Sequence, residues 1–83
     1  MEVAPARFLT DSIFNVFMNV LLNGEKVDAG EARTIAELVE RYQLSPQSIL
    51  VEHNSVALHR RDWPQTGLIE GDRIEFIRVV AGG

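Results

Sequence analysis

The spacing of apolar residues changes along this chain, and each change predicts an element. Val16 to Leu22 is a run rich in strand formers. Asn23-Gly24 follows at once, then Lys26-Val27-Asp28. Asn-Gly between two extended runs predicts a tight hairpin, because both central residues of a type I′ turn need positive φ. A loop over residues 29–33 leads to Thr34-Ile35-Ala36-Glu37, which reads as a capping box. In such a box Thr34 accepts from the Glu37 N–H, and the Glu37 side chain reaches back to the Thr34 N–H. Ile35, Leu38, Val39 and Tyr42 then fall at i, i+3, i+4 and i+7, one face of a helix. Glu37, Glu40 and Arg41 take the opposite face. Pro46 cannot continue the helix, which is predicted to end near Tyr42 or Gln43.

Beyond the helix the apolar runs shorten. Ile49-Leu50-Val51 predicts a third strand, Asn54-Ser55 a turn, and Val56-Ala57-Leu58 a short fourth strand. Residues 60–66, holding Trp63 and Pro64, form a connection, with Trp63 placed against the sheet edge. Leu68-Ile69-Glu70-Gly71-Asp72 reads as a second turn, with Gly71 suited to positive φ. Arg73 to Val79 alternates: Ile74, Phe76 and Arg78 on one side, Glu75, Ile77 and Val79 on the other. The predicted core is Val20, Leu22, Ile35, Leu38, Val39, Leu50, Ile74 and Phe76, with Tyr42 completing the helix stripe.

The order is hairpin, helix, short strands, long strand. One helix packed across one mixed sheet buries a helix stripe and a sheet face together. The first and last strands then pair centrally and in parallel, because the hairpin and helix supply the crossover. The expected fold is α+β, a β-grasp (ubiquitin-like) sheet of about four or five strands with one main helix on one face.

Residues 1–17 follow neither period. Ala4-Pro5-Ala6 and Thr10-Asp11-Ser12 interrupt them, and Phe8, Leu9, Ile13, Phe14 and Phe17 match no template. Three readings fit: an upstream extension before a natural start at Met18, an ordered arm over an apolar patch, or a purification remnant. We take the first. The domain organisation is then a flexible extension, 1–17, and one domain, 18–83, with a flexible Gly-Gly tail.

Composition narrows the chemistry. With 83 residues there is room for one domain and not two. No cysteine is present, so any sulfur handled by this chain cannot sit on a side-chain thiol. The net charge of −4 comes with scattered bases rather than a basic stripe. That pattern argues against nucleic acid and for a partner with a basic docking face. No run approaches the roughly 18 apolar residues of a membrane span, and the N-terminus lacks the layout of a signal peptide. The expected location is the cytoplasm.

The end of the chain carries the candidate chemistry. Val79-Val80-Ala81-Gly82-Gly83 finishes in two glycines and a carboxylate. A thin tail without β-carbons can enter a narrow channel of another protein. A carboxylate becomes reactive once it attacks the α-phosphorus of ATP and expels pyrophosphate, giving an acyl-adenylate. A sulfur donor then displaces AMP and leaves a terminal thiocarboxylate. The carrier needs no catalytic side chain for this, because the partner supplies ATP binding, Mg²⁺ and electrostatic stabilisation. Alone, a terminal Gly-Gly is equally a frayed end. Placed directly after the long last strand of a hairpin–helix–strand domain, it gains weight as a reactive tail.

These residues resemble the ThiS family, the sulfur carriers of thiamine thiazole biosynthesis. The likeness is carried by Asn23-Gly24-Glu25, Thr34-Ile35-Ala36-Glu37-Leu38, Arg61-Asp62-Trp63, Gly71-Asp72-Arg73-Ile74-Glu75 and the ending Val79 to Gly83. It covers nearly all of the chain after Met18, and residues 1–17 have no counterpart in it. The resemblance implies that Gly83 is adenylated by a ThiF-type enzyme and converted to a thiocarboxylate, with Gly82 giving access. It implies sulfur from a cysteine desulfurase or similar donor and delivery to a ThiG-type thiazole synthase. The chain would then be a co-substrate rather than an enzyme and would bind no cofactor of its own. The same tail also fits a MoaD-like small subunit of molybdopterin synthase, a ubiquitin-like protein modifier, or a binding module whose tail is idle.

Other candidates are thinner. His53 and His59 have no metal-ligand spacing, and we read both as solvated or half-buried strand residues. Gly24-Glu25-Lys26 lacks the rest of a phosphate loop. Ser45, Ser48 and Ser55 have no base at motif spacing. Trp63 is read as packing, with docking as its other use.

Overall fold

The computed structural model describes residues 18–80. The sequence-based extension 1–17 and the Ala81-Gly82-Gly83 tail lie outside them. Strand β1 is Asn19–Leu22, β2 Glu25–Asp28, helix α1 Ile35–Arg41, β3 Ile49–His53, β4 Val56–Leu58 and β5 Arg73–Arg78. A 3-10 turn spans Pro46–Ser48, and a 3-10 helix spans Arg60–Gln65 where a plain connection was expected.

The five strands form one mixed sheet in the order β2-β1-β5-β3-β4. β5 is its central strand, parallel to β1 and antiparallel to β3. This is the β-grasp arrangement expected from the pattern. Both hairpins close with two-residue turns whose residues all have positive φ: Asn23 (53°) and Gly24 (83°), then Asn54 (52°) and Ser55 (74°). That backbone twist matches the twist of the flanking strands.

α1 starts as its sequence requires, with one difference. Thr34 Oγ1 accepts the Glu37 N–H at 3.1 Å. Glu37 Oε1, however, accepts from the Arg33 N–H at 2.7 Å rather than from Thr34. The backbone on either side of Thr34 is tied to the segment after the 3-10 helix. The Ile35 N–H donates to the Thr66 carbonyl, and the Leu68 N–H donates to the Arg33 carbonyl.

The helix ends before Pro46 can act. Gln43 adopts φ 57°, its N–H donates to the Glu40 carbonyl at 2.9 Å, and the Leu44 N–H reaches the Val39 carbonyl at 3.4 Å. These are the two bonds of a Schellman motif, built here on glutamine rather than glycine. Pro46 instead opens the 3-10 turn.

The core joins the helix stripe to one face of the sheet. Ile35, Leu38, Ile74, Val20 and Val51 are the large side chains shut off from water. Two expected core residues lie elsewhere. Leu50 is 58% exposed, while its neighbours Ile49 and Val51 are buried. Strand side chains alternate, so an apolar triplet puts its ends on one face and its middle on the other. Three apolar residues in a row carry no phase from which to choose. Tyr42 is 39% exposed and meets Phe76 edge-on at the rim, with ring centroids 6.4 Å apart. Leu22 and Phe76 are half-buried against the core.

Trp63 is buried, with Leu58 of the edge strand β4 lining a hollow on one side of it and the helix on the other. It lines one hollow with Ala36, Val39 and Leu44. Its indole Nε1 has no hydrogen-bond acceptor among the described residues.

Candidate functional site

The tail leaves from the middle of the sheet. β5 is held along one side by β1, through Leu21↔Arg73 and Leu22↔Ile74. Along the other side it pairs with β3, from His53↔Ile74 to Ile49↔Arg78. The Val79 N–H adds one more bond, to the Ser48 carbonyl at 2.8 Å. Val80 is then 81% exposed. The chain thus passes from a fixed central strand into solvent between Val79 and Val80. Gly82 and Gly83, the residues singled out for the chemistry, lie outside the described residues.

The start of β5 is fixed by a polar cluster that the sequence did not reveal. Asp72 is the buried charged residue of the core, only 4% exposed. Its Oδ2 accepts from the Ile69 N–H and from His53 Nε2, both at 2.9 Å. Its Oδ1 accepts from Asn54 Nδ2 at 3.1 Å. A carboxylate only accepts, so the His53 ring carries its proton on Nε2 here. Asn54 Oδ1 in turn accepts from the Arg73 N–H at 2.8 Å, and the Asn54 N–H donates to the Arg73 carbonyl at 2.7 Å.

Burial by itself would raise the Asp72 carboxyl. Its hydrogen bonds from His53, the Ile69 N–H and Asn54, with the electrostatic attraction of His53, outweigh burial and hold it below the ordinary carboxylate range. The acid is therefore kept ionised as a structural acceptor. His53 and Asp72 are 19 residues apart in sequence, so no local motif could have joined them. Among the described residues, no group of three or more histidines and acids could hold a metal ion. Ser45 and Ser48 bond to neighbours within the 3-10 turn.

The surface beside the exit is apolar. Leu50 and Ile77 sit opposite each other on β3 and β5, on the face turned away from the helix. With Val79 and Val80 they are exposed. Arg60, Arg61 and Arg78 are exposed as well. Among the described residues, no helix is long and apolar enough to cross a membrane.

A five-stranded mixed sheet grasping one helix, with its central strand leading to the exposed Val80, defines a ubiquitin-like β-grasp protein. Comparison with known proteins takes this further. The ThiS family profile matches residues 13–83, beginning upstream of Met18, and the chain belongs to the ThiS family. Among curated proteins it is 27% identical over 66 residues to the sulfur carrier protein ThiS of Escherichia coli K12, covering 80% of this chain and all of that one. It is also 27% identical over 71 residues to the uncharacterised protein ycf40 of Porphyra purpurea, covering 86% of this chain and all of that one. Among solved structures, the crystal structure of the thiamine biosynthesis protein ThiS from Geobacter metallireducens matches with a TM-score of 0.67 and 28% identity. That match covers 80% of this chain and 100% of the Geobacter chain. The solution structure of a thiamine biosynthesis protein from the same organism matches with a TM-score of 0.65 and 28% identity, over 80% of this chain and 88% of that one.

Proposed function

We propose that this chain is the sulfur carrier for thiazole formation in thiamine biosynthesis, working in the cytoplasm through the carboxylate of Gly83. The observation that carries this reading is the exit of the tail from the central strand. β5 is bonded to β1 at its start and to β3 along its length, with a further bond from Val79 to Ser48, and the next residue stands in solvent. A fixed root under a short tail presents the terminal carboxylate at a defined place without lending it any side chain. Proximity and orientation are then set by docking, and the partner supplies the catalytic groups. The family of the chain and the names of its relatives support the thiazole branch.

The reaction balances in two steps. A Gly83 carboxylate oxygen attacks the α-phosphorus of ATP, the bond to the bridging oxygen breaks, and pyrophosphate leaves. A sulfide-level donor then attacks the acyl carbon, the bond to AMP breaks, and a thiocarboxylate remains. ATP and Mg²⁺ are held by a ThiF-type enzyme; the sulfur leaves a cysteine desulfurase or similar donor as a persulfide, which a thiol reductant brings to the sulfide level as it is oxidised to a disulfide; and a ThiG-type synthase receives the sulfur from the thiocarboxylate. Gly82 keeps the tail narrow enough for a closed channel.

The deciding experiment is intact-mass analysis after incubation with a ThiF-type enzyme, ATP and a sulfur source. The expected result is pyrophosphate release and a C-terminal mass shift matching one oxygen replaced by sulfur. Full pyrophosphate release from a chain lacking Gly82 and Gly83 would overturn the proposal. An unmodified tail would favour the idle-tail binding module, and an isopeptide-linked product the protein modifier.

A further inference from the structure

The helix side of the domain carries a hollow of its own. It measures about 400 Å³ and lies between α1 and the 3-10 helix, with Ala36, Val39, Leu44, Pro46, Trp63 and Pro64 along it. All six are apolar, yet only Val39 and Trp63 are buried. Glu40 and Arg60 complete the lining, an acid on the helix and a base on the 3-10 helix. Both are exposed, and among the described residues neither makes an ion pair. The hollow is thus an apolar trough with one charge of each sign on its two walls.

The chain itself contains a segment of matching pattern. Arg7-Phe8-Leu9-Thr10-Asp11 sets an aromatic and an aliphatic residue between one base and one acid. It lies upstream of residue 13, where the family match begins, so it belongs to this chain rather than to the family pattern. Its root is fixed, because the Met18 carbonyl accepts the Ala29 N–H at 2.7 Å. From there the stretch back to Phe8 extends up to about 33 Å. The longest strand, β5, spans only about 20 Å, and α1 about 10 Å. The segment is therefore long enough to run from its root past the far end of α1.

We propose that residues 7–11 of the same chain fill this hollow, with Phe8 and Leu9 against Trp63 and Leu44, Asp11 facing Arg60 and Arg7 facing Glu40. Burial of the two apolar side chains drives the contact, and the two charges set its direction. The segment then bridges α1 and the 3-10 helix. This is the arm over an apolar patch, not an extension before a start at Met18. Two other occupants fit worse. A tethered segment sits at an effective concentration on the order of millimolar, so an apolar peptide of another protein must compete with it. A second copy offers the same segment only at the far lower concentration of free chain.

The test uses the full chain with Thr10→Cys, which takes a nitroxide at one place because the chain has no cysteine of its own. Broadening of the proton signals by the nitroxide is measured against the same chain with the label reduced. The strongest broadening is expected at Ala36, Leu44 and the indole of Trp63, the single tryptophan. An unbound segment would instead broaden Asn19 and Asp28 most, since these two pair beside its root. Phe8→Ser in the labelled chain is expected to remove most of the broadening at Trp63. Arg60→Glu does the same, and Asp11→Lys added to Arg60→Glu restores it. Arg60 is exposed, so its substitution leaves the domain folded. Unshifted signals of the buried Val20 and Ile74 verify this in every variant.

Broadening strongest at Asn19 and Asp28 overturns the proposal. So does a pattern that Phe8→Ser or Arg60→Glu leaves unchanged. A mixed sample separates the two sources of the segment, with the nitroxide on one population of chains and the isotope label on the other. Broadening of the Trp63 indole in that mixture gives the hollow to a second copy and overturns the assignment to the same chain. A sharp Trp63 signal there, with a broadened one in the singly labelled chain, supports it. None of these readouts involves the Gly83 carboxylate, so they stand apart from the outcome of the carrier experiment.

Discussion

The side chain of Asn23 extends the sheet by standing in for a strand beside Phe76. Its Oδ1 accepts the Phe76 N–H at 2.8 Å, and its Nδ2 lies 3.4 Å from the Phe76 carbonyl. The Asn23 N–H donates to the Ile74 carbonyl at 2.8 Å. One residue therefore makes the positive-φ turn after β1 and continues the β1–β5 ladder toward the tail. Asn23→Ala loses the side-chain bonds and tolerates φ 53° less well. A loss of about 1–2 kcal/mol in urea unfolding is expected. Asn23→Asp keeps the acceptor and should lose less.

Asp72 makes stability depend on acid. Its carboxyl is held below the ordinary range, so its contribution is complete above the unfolded-state value, around pH 4. It is lost as pH falls further, through the lower folded-state value. Asp72→Asn should cost about 1.5–3 kcal/mol at neutral pH, by leaving charge-assisted bonds unmade. It should also flatten the acid limb of the stability curve. Thermal melts from pH 7 down to pH 2 on both chains check this, and parallel acid limbs would contradict it.

Leu38 is fully buried between the helix and the sheet. Leu38→Ala should destabilise the domain by roughly 2–5 kcal/mol, the sum of lost transfer energy and a residual cavity. An unchanged denaturation midpoint would contradict its place in the core.

Gln43 holds a left-handed conformation at the end of α1 without being glycine. Gln43→Gly relieves that strain, but the unfolded chain gains freedom. The balance favours the variant by roughly 0.5 kcal/mol, read as a small rise in melting temperature. A fall would mean that the glutamine side chain contributes more than its backbone costs.

For the tail, Gly82→Val is expected to lower the rate of adenylation while leaving the melting temperature unchanged. A β-branched side chain restricts the backbone and widens the peptide that must enter the partner. Pyrophosphate release and thermal melting, measured on the same preparation, separate the two effects. A drop in stability equal to the drop in rate would show that the residue acts through the fold.

Local rules carried much of the fold. Asn23-Gly24 required its hairpin, because few other pairs adopt two positive φ values cheaply. The i, i+3, i+4 spacing of Ile35, Leu38 and Val39 marked the helix face, and the alternation of Ile74 with Glu75 marked the last strand. Gly82 and Gly83 stand outside the described residues, so the reading of the tail rests on the sequence alone.

Tertiary structure decided what depends on phase and on distance. Leu50 faces outward because the pairing of β3 with β5 fixes the register, and the triplet Ile49-Leu50-Val51 carries no phase of its own. Asp72 finds His53 and Asn54 only because β5 lies beside β3, bringing together residues nearly twenty positions apart. Arg60 and Val79 border one hollow because the 3-10 helix and the end of β5 come together there, although nothing local in the sequence joins them. Period and turn chemistry are local, so the sequence determines them by itself. Register, buried polar pairing and surface charge arise between segments, and only the folded chain settles them.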